Sequence, residues 1–307
     1  MNESTQQGQK IFTIGGILLL LIALLIGISY LAPSKAIEVA ADLEISLPNP
    51  YDDITLSAQA ALVYDLNTQE ILFGIEEETQ LPLASLTKLL STYLATKELG
   101  ENRYIRITSE DLRTEGDSGL FVSEVWKVGD LARYTLISSS NDGAHALTRA
   151  LSTQSGKTPA LFLSQAAAAL ALPQTFALNG SGLDTSTQMS GAYGSAYDIA
   201  VLLGVIYKEN RDLLLDSSSA TAVFTSADGF THEAKSTNSL ADTLPLLVGA
   251  KTGYTDLAGG NLAVLVEVAP GRPIAIVVLS STREGRFTDV ETLVEKTLQH
   301  FTYNPVF

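Results

Sequence analysis

No cysteine occurs in the 307 residues. That absence excludes a disulfide framework, a thiol nucleophile, an iron–sulfur cluster and a cysteine–zinc site. It also leaves no N-terminal cysteine to carry a lipid. Charge is sparse, at 17% of residues, and one sign dominates: 19 Lys and Arg against 34 Asp and Glu give a net charge of −15. Such a balance argues against nucleic acid as a partner, because phosphate binding needs a basic face. Only three histidines are present and no His-Glu-x-x-His pattern, so the ligand spacing of a zinc peptidase is missing. No metal or other cofactor is expected. The hydrophobic share, 46%, is ordinary for a globular chain, so sparse charge does not signal disorder.

What is present starts with a long apolar run. Residues 11–32, IFTIGGILLLLIALLIGISYLA, carry no charge. A helix of that length spans about 33 Å, enough for a bilayer core. The apolar core of a cleaved signal is shorter, about 7–15 residues, and a small-x-small cleavage site is poorly formed here. The run therefore reads as an uncleaved transmembrane anchor, and it accounts for a mean hydropathy of +0.19. Lys10 precedes it and Lys35 follows, with no further Lys or Arg until Lys88. That distribution favours a single-pass protein of the cell membrane with its body on the extracytoplasmic side. Residues 33–57 carry Glu38, Asp42, Glu44, Asp52 and Asp53 with Pro48 and Pro50, and read as an extended acidic linker. The organisation expected is a short segment at 1–10, an anchor at 11–32, a linker at 33–57 and a catalytic domain at 58–307.

From residue 58 the pattern is mixed α/β. Apolar runs at 60–64 and 71–73 flank Asp65-Leu66-Asn67-Thr68, the signature of a hairpin. Leu86, Leu89, Leu90 and Tyr93 recur at helical spacing and predict a helix over 85–99. Further helices are expected at 131–137, 142–151, 159–170 and 196–207. Strands are expected at 262–268 and 274–279, turning at Gly271-Arg272-Pro273, and a closing helix carries Phe287, Val290, Val294, Leu298 and Phe301. Strands at both ends with helices between them predict one sheet closed by distant segments, with a helical lobe inserted.

Two motifs fail on inspection. Gly116-Asp117-Ser118-Gly119 resembles the serine loop of trypsin-like proteases, but there the histidine precedes the serine. Here His145, His232 and His300 all follow Ser118. Gly156-Lys157-Thr158 resembles the end of a phosphate loop, yet the earlier glycine it needs falls at Leu151.

Three short patterns survive, in order: Ser85-Leu86-Thr87-Lys88, Ser139-Ser140-Asn141 and Lys251-Thr252-Gly253. Singly each is weak, and a second Ser-x-Asn at Ser236-Thr237-Asn238 shows how cheap that pattern is. Context gives them meaning. Ser85 opens the leucine-striped helix, so Lys88 lies one turn on, on the same face. A serine hydroxyl needs a base to become a nucleophile. A lysine amine can serve once burial or a second cation lowers its pKa, and Lys251 is a candidate for that cation. The helix start leaves backbone N–H groups free for an oxyanion. Ser139 falls in the loop between two predicted helices. Lys251 follows the apolar run 246–248, as on an edge strand, and Gly253 lets a substrate backbone approach closely.

With these residues in this order the chain resembles the serine-type D-alanyl-D-alanine carboxypeptidases (peptidase family S11), the low-molecular-mass penicillin-binding proteins. The resemblance covers nearly all of 58–301. It extends to Gly119-Leu120-Phe121, Val128-Gly129-Asp130, Gly182-Leu183-Asp184, Ser195-Ala196-Tyr197-Asp198 and Gly253-Tyr254-Thr255. It also selects Ser139–Asn141 over the second Ser-x-Asn. It implies a β-lactamase/transpeptidase-like α/β (α+β) fold, an antiparallel sheet flanked by helices plus an all-helical lobe. It implies that Ser85 attacks the D-Ala-D-Ala carbonyl of peptidoglycan stem peptides and forms an acyl-ester. Lys88 is then the general base. Ser139 relays a proton to the leaving amine, held with Lys88 by Asn141. Lys251 and Thr252 bind the terminal carboxylate, also that of penicillin, and the N–H groups of Ser85 and Tyr254 form the oxyanion hole. β-Lactams are the implied inhibitors.

Departures are informative. Many relatives add a β-rich C-terminal domain and an amphipathic C-terminal anchor; here the sequence ends six residues after Phe301, and the N-terminal run is expected to serve as the anchor instead. Ser140 stands where relatives often carry glycine or alanine. Rival readings are a class A β-lactamase, a cross-link endopeptidase and a non-catalytic wall-binding or β-lactam-sensing module. Class A enzymes deacylate through a glutamate, and no glutamate occurs between Asn141 and Asp198.

Overall fold

The computed structural model describes residues 49–116 and 119–303. The expected anchor at 11–32, and the linker up to residue 48, lie outside the described residues.

Strands β1 (Ala60–Asp65) and β2 (Glu70–Ile75) form the expected hairpin. Its turn is held by a buried carboxylate. Asp65 Oδ1 accepts from the backbone N–H of Asn67 at 2.9 Å and Thr68 at 3.2 Å. Asp65 Oδ2 accepts from Arg272 Nε and Nη2 at 3.0 and 2.7 Å, which ties the turn to a strand two hundred residues away. Helices α1 (Thr87–Leu99), α2 (Val128–Ser138), α3 (Asn141–Ser155), α4 (Pro159–Ala169) and α5 (Ala196–Glu209) follow. The chain then returns as β3 (Leu247–Thr255), β4 (Gly259–Ala269) and β5 (Arg272–Ser281), and ends in α6 (Gly285–Tyr303).

The five strands make one antiparallel sheet in the order β3-β4-β5-β1-β2. The first strand thus pairs with the last, as the distribution of apolar runs predicts. Side chains alternate across a strand, and here the alternation divides two cores. Ala263, Leu265, Ala275, Val277 and Leu279 pack with α5 residues Ile199, Leu202, Leu203 and Ile206 and the helical lobe. Leu262, Val264, Val266, Ile274, Ile276 and Val278 pack with Val290, Leu293 and Val294 of α6. A sheet covered on both faces explains why β4 and β5 read as continuous apolar runs rather than alternating ones.

Three boundaries differ from the sequence expectation. The helix expected over 85–99 starts with a separate 3-10 turn, Ala84–Leu86, before α1. The expected edge strand carries the Lys-Thr-Gly triplet but begins at Leu247, one residue inside the apolar run 246–248. The end of the expected linker is docked: Tyr51 is 4% exposed, its hydroxyl hydrogen-bonds Thr297 Oγ1 at 3.0 Å and its ring stacks on Phe73. Ser57 N also donates to Asp289 Oδ1 at 2.9 Å. Acidic and proline-rich composition concealed one aromatic anchor that buries against α6.

Candidate active site

Ser85 sits at the centre of the 3-10 turn that precedes α1. Leu83 and Leu86 are buried and pin the turn on both sides. Ala84 has φ +47, a left-handed conformation that a side chain disfavours. Such strain persists only where the surroundings enforce it, and here it leaves Ser85 half-buried.

Lys88 follows one turn later and is fully buried. Its Nζ lies 2.7 Å from Ser85 Oγ, 2.7 Å from Asn141 Oδ1 and 2.8 Å from the carbonyl of Ser181. None of the three partners is a carboxylate, so no counter-ion offsets the cost of burying an ammonium. Burial accordingly draws the Lys88 pKa from 10.5 down to about 7. A neutral amine has two N–H donors and one lone pair. Asn141 Oδ1 and the Ser181 carbonyl can only accept, so they take the two N–H groups, and the lone pair is left facing the Ser85 hydroxyl.

Ser139, Ser140 and Asn141 occupy the junction of α2 and α3. Ser139 ends α2 with φ +57. Ser140 caps α3, its hydroxyl accepting from Gly143 N at 2.9 Å. The helix therefore begins at Asn141, whose amide bridges Lys88 and the carbonyl of Glu115, with Nδ2 donating to the latter at 2.6 Å.

Lys251 is 1% exposed on β3 and donates to Ser139 Oγ at 2.9 Å and to the Thr252 carbonyl at 2.8 Å. Burial holds its pKa well below the ordinary lysine value, and repulsion from Lys88 and Arg286 lowers it further. The sequence reading offered Lys251 as the cation that tunes Lys88. In the folded chain burial alone accounts for the shift of Lys88, and the repulsion registers on Lys251. Thr252 is buried with its hydroxyl against that of Thr237. Thr237 belongs to the second Ser-x-Asn, so that pattern borders the site without reaching either lysine.

Gly253 explains how the strand meets the turn. A Cβ there would lie 2.9 Å from the Leu83 carbonyl oxygen and 3.2 Å from Ser85 N, so β3 approaches the Ser85 backbone as only glycine allows. Tyr254 comes next on the strand and is 42% exposed. The folded chain thus gathers Ser85, Lys88 and Asn141 in one hydrogen-bonded group and Ser139, Lys251 and Thr252 in another, with Gly253 between them.

Two participants escaped sequence reasoning. The Ser181 carbonyl lies in a loop with no pattern of its own. Arg286 is 7% exposed and donates from Nη1 to the Gly253 carbonyl at 2.7 Å. It did carry a signal: an arginine in the first turn of a helix opposes the macrodipole and so requires another reason to be there. Three basic side chains, Lys88, Lys251 and Arg286, thus converge in a chain of net charge −15. This grouping suits a substrate that ends in a carboxylate and presents a carbonyl to a hydroxyl.

A family model described as D-alanyl-D-alanine carboxypeptidase matches residues 47–282. The D-alanyl-D-alanine carboxypeptidase DacD of Salmonella typhimurium is 27% identical over 293 residues, covering 91% of this chain and 71% of that protein. A crystal structure of D-alanyl-D-alanine carboxypeptidase from Mycobacterium tuberculosis shares the fold with a TM-score of 0.71 at 23% identity, over 82% of this chain and 96% of that one. Penicillin-Binding Protein D2 from Listeria monocytogenes, in its cefotaxime-bound form, gives a TM-score of 0.65 at 26% identity, over 80% and 98% of the two chains. The chain spans 64–77% of the length of the curated relatives it matches.

Proposed function

Because this chain belongs to the D-alanyl-D-alanine carboxypeptidase family, we propose that it is a serine D,D-peptidase acting on the terminal D-Ala-D-Ala bond of peptidoglycan stem peptides. One observation carries the reading: the buried Lys88 amine, with a pKa near 7, is oriented by two acceptors so that its lone pair faces Ser85.

The terminal carboxylate binds Lys251 and Thr252, with Arg286 behind them. The penultimate carbonyl then lies over Ser85, between that residue's N–H and the N–H of Tyr254. Lys88 takes the Ser85 proton as Oγ attacks, and the oxyanion forms against the two N–H groups. Collapse breaks the C–N bond, and the departing D-alanine amine receives through Ser139 the proton that Lys88 took from Ser85, which returns Lys88 to its neutral form; Ser139 Oγ is held 2.9 Å from Lys251 Nζ. The Ser85 ester is hydrolysed by water, with Lys88 again as base. Penicillin enters by the same attack, but its amine stays tethered to the acyl group. No carboxylate bonds Lys88 or Ser85 among the described residues, so the penicilloyl ester lacks the base that a class A β-lactamase uses and is expected to persist.

We also propose that residues 11–32 hold this domain at the outer face of the cell membrane; protease treatment of intact spheroplasts should digest it, and protection would contradict that orientation. The reaction itself is tested by incubating purified protein with pentapeptide muropeptides. Release of free D-alanine, abolished in Ser85→Ala, supports the carboxypeptidase. Separation of cross-linked dimers without free D-alanine would replace it with the endopeptidase, and no product of either kind would leave a penicillin-binding sensor.

A further inference from the structure

One cation beside Tyr254 takes no part in these steps. Arg283 lies in the turn between β5 and α6 and is exposed. Its guanidinium sits 5.0 Å from the centre of the Tyr254 ring. No carboxylate pairs with it among the described residues, although the chain carries 34 acidic side chains. Four other arginines do have carboxylate partners: Arg272 with Asp65, Arg149 with Asp111, Arg211 with Glu267 and Arg133 with Asp130.

The placement is built into the sheet. Gly260 is the cross-strand partner of Tyr254. A Cβ at Gly260 would lie 2.1 Å from the Thr282 carbonyl oxygen and 3.3 Å from Arg283 Cα. A side chain there would push the turn away, so the glycine lets Arg283 reach across to the ring. A guanidinium lying over an aromatic ring keeps its N–H edge available for a planar anion.

The direction of the substrate follows from the proposed chemistry, on which this inference rests. Lys251 and Thr252 take the terminal carboxylate and Ser85 attacks at the level of Gly253. A peptide laid on the free edge of β3 therefore runs antiparallel to it, and its upstream residues pass Tyr254 and Thr255. An extended chain advances about 3.4 Å per residue, so the residue two before the terminal D-alanine comes level with the Tyr254–Arg283 pair. We propose that Arg283, held by Tyr254, is a specificity-determining residue that binds a free carboxylate on that third-from-last residue of the stem peptide.

The test compares N-acetyl-L-Glu-D-Ala-D-Ala with N-acetyl-L-Gln-D-Ala-D-Ala, which differ only in that charge. For the intact protein the glutamate peptide should have a higher kcat/KM by about fivefold, the size of one exposed charge pair. Arg283→Ala should bring the ratio to about one and leave the glutamine peptide unchanged, while Arg283→Lys keeps part of the preference. Added salt should shrink the ratio. Equal kcat/KM for the two peptides in the intact protein, or an equal loss on both in Arg283→Ala, overturns the proposal. The Kd of Ser85→Ala for each peptide, with and without Arg283→Ala, separates the two claims. If the intact protein releases no D-alanine the peptidase reading fails, and the Kd ratio alone then decides for or against Arg283.

Discussion

Lys88 Nζ and Ser85 Oγ are 2.7 Å apart, and the amine is enclosed so completely that its only other partners are two neutral oxygens. That relationship sets the protonation state on which the chemistry depends. Below a pH of about 7 the amine is charged and cannot accept the serine proton; above it the lone pair is free. The rate of acylation by penicillin should therefore rise with pH and level off above about 7, as followed by stopped-flow loss of intrinsic fluorescence. Lys88→Ala should lose about a thousandfold, the usual contribution of a general base. Lys88→Arg should be equally slow, because a guanidinium does not deprotonate. An acylation rate independent of pH between 5 and 9 would contradict this assignment.

Asn141 holds that amine from one side and the Glu115 carbonyl from the other. Asn141→Ala removes a hydrogen bond to a group that becomes charged during reaction. Such bonds contribute about 1.5–3 kcal/mol, so acylation should slow by roughly ten- to a hundredfold. The folded fraction should change little, since the side chain is half-exposed at a helix start. Circular dichroism melting beside the acylation rate checks both statements.

Gly253→Ala makes a different prediction, because its cost falls on geometry. The new methyl would meet the Leu83 carbonyl at 2.9 Å and Ser85 N at 3.2 Å. Relief requires β3 and the Ser85 turn to part, which displaces one oxyanion N–H from the other. Acylation should fall by about tenfold or more, while the acid limb of its pH profile stays near 7, since Lys88 keeps its surroundings. A shifted limb would show that the two elements are more tightly linked than their contacts indicate.

Asp111 concerns stability rather than catalysis. Its buried carboxylate meets His145 Nδ1 at 2.8 Å, Arg149 Nη2 at 2.8 Å and Nε at 2.9 Å, and Thr108 N at 2.8 Å. Burial alone would raise its pKa, but the His145, Arg149 and Thr108 bonds outweigh burial and hold it well below the carboxylate range. The unfolded carboxyl titrates at about 3.9. Stability from this cluster is thus complete above that pH and is lost as pH falls toward the folded value. Asp111→Asn should cost about 3 kcal/mol at neutral pH and flatten the loss of stability in acid, both read from urea unfolding across pH.

The parts of this structure legible in the sequence are those set by local pattern. The β1–β2 hairpin announced itself by apolar runs around Asp65-Leu66-Asn67-Thr68, and β4 and β5 by continuous apolar stretches. Ser85, Ser139 and Lys251 stood out by motif and order. What stayed hidden was set by tertiary contact. The hairpin Thr221–Thr225 with Thr231–Lys235 offers a weak signal, with one short apolar run at 222–224 and a second strand of mixed polarity, because only Phe224, His232 and Ala234 are buried in it. The cause of the Lys88 shift could not be told apart from sequence, since a second cation and burial give the same sign; only the enclosure of its amine decided. Arg283 lies in the turn before α6, whose path depends on Gly260, and Arg286 lies three residues on in the helix itself; no local pattern reports a cross-strand approach.

The central claim is that Ser85 forms a covalent acyl-enzyme through Lys88. Peptide mapping by mass spectrometry after brief exposure to benzylpenicillin tests it most directly. The account predicts a single penicilloyl adduct on the peptide bearing Ser85, absent in Ser85→Ala and slow to form in Lys88→Ala. An adduct at another residue, an adduct that survives Ser85→Ala, or no adduct on the intact protein would contradict it.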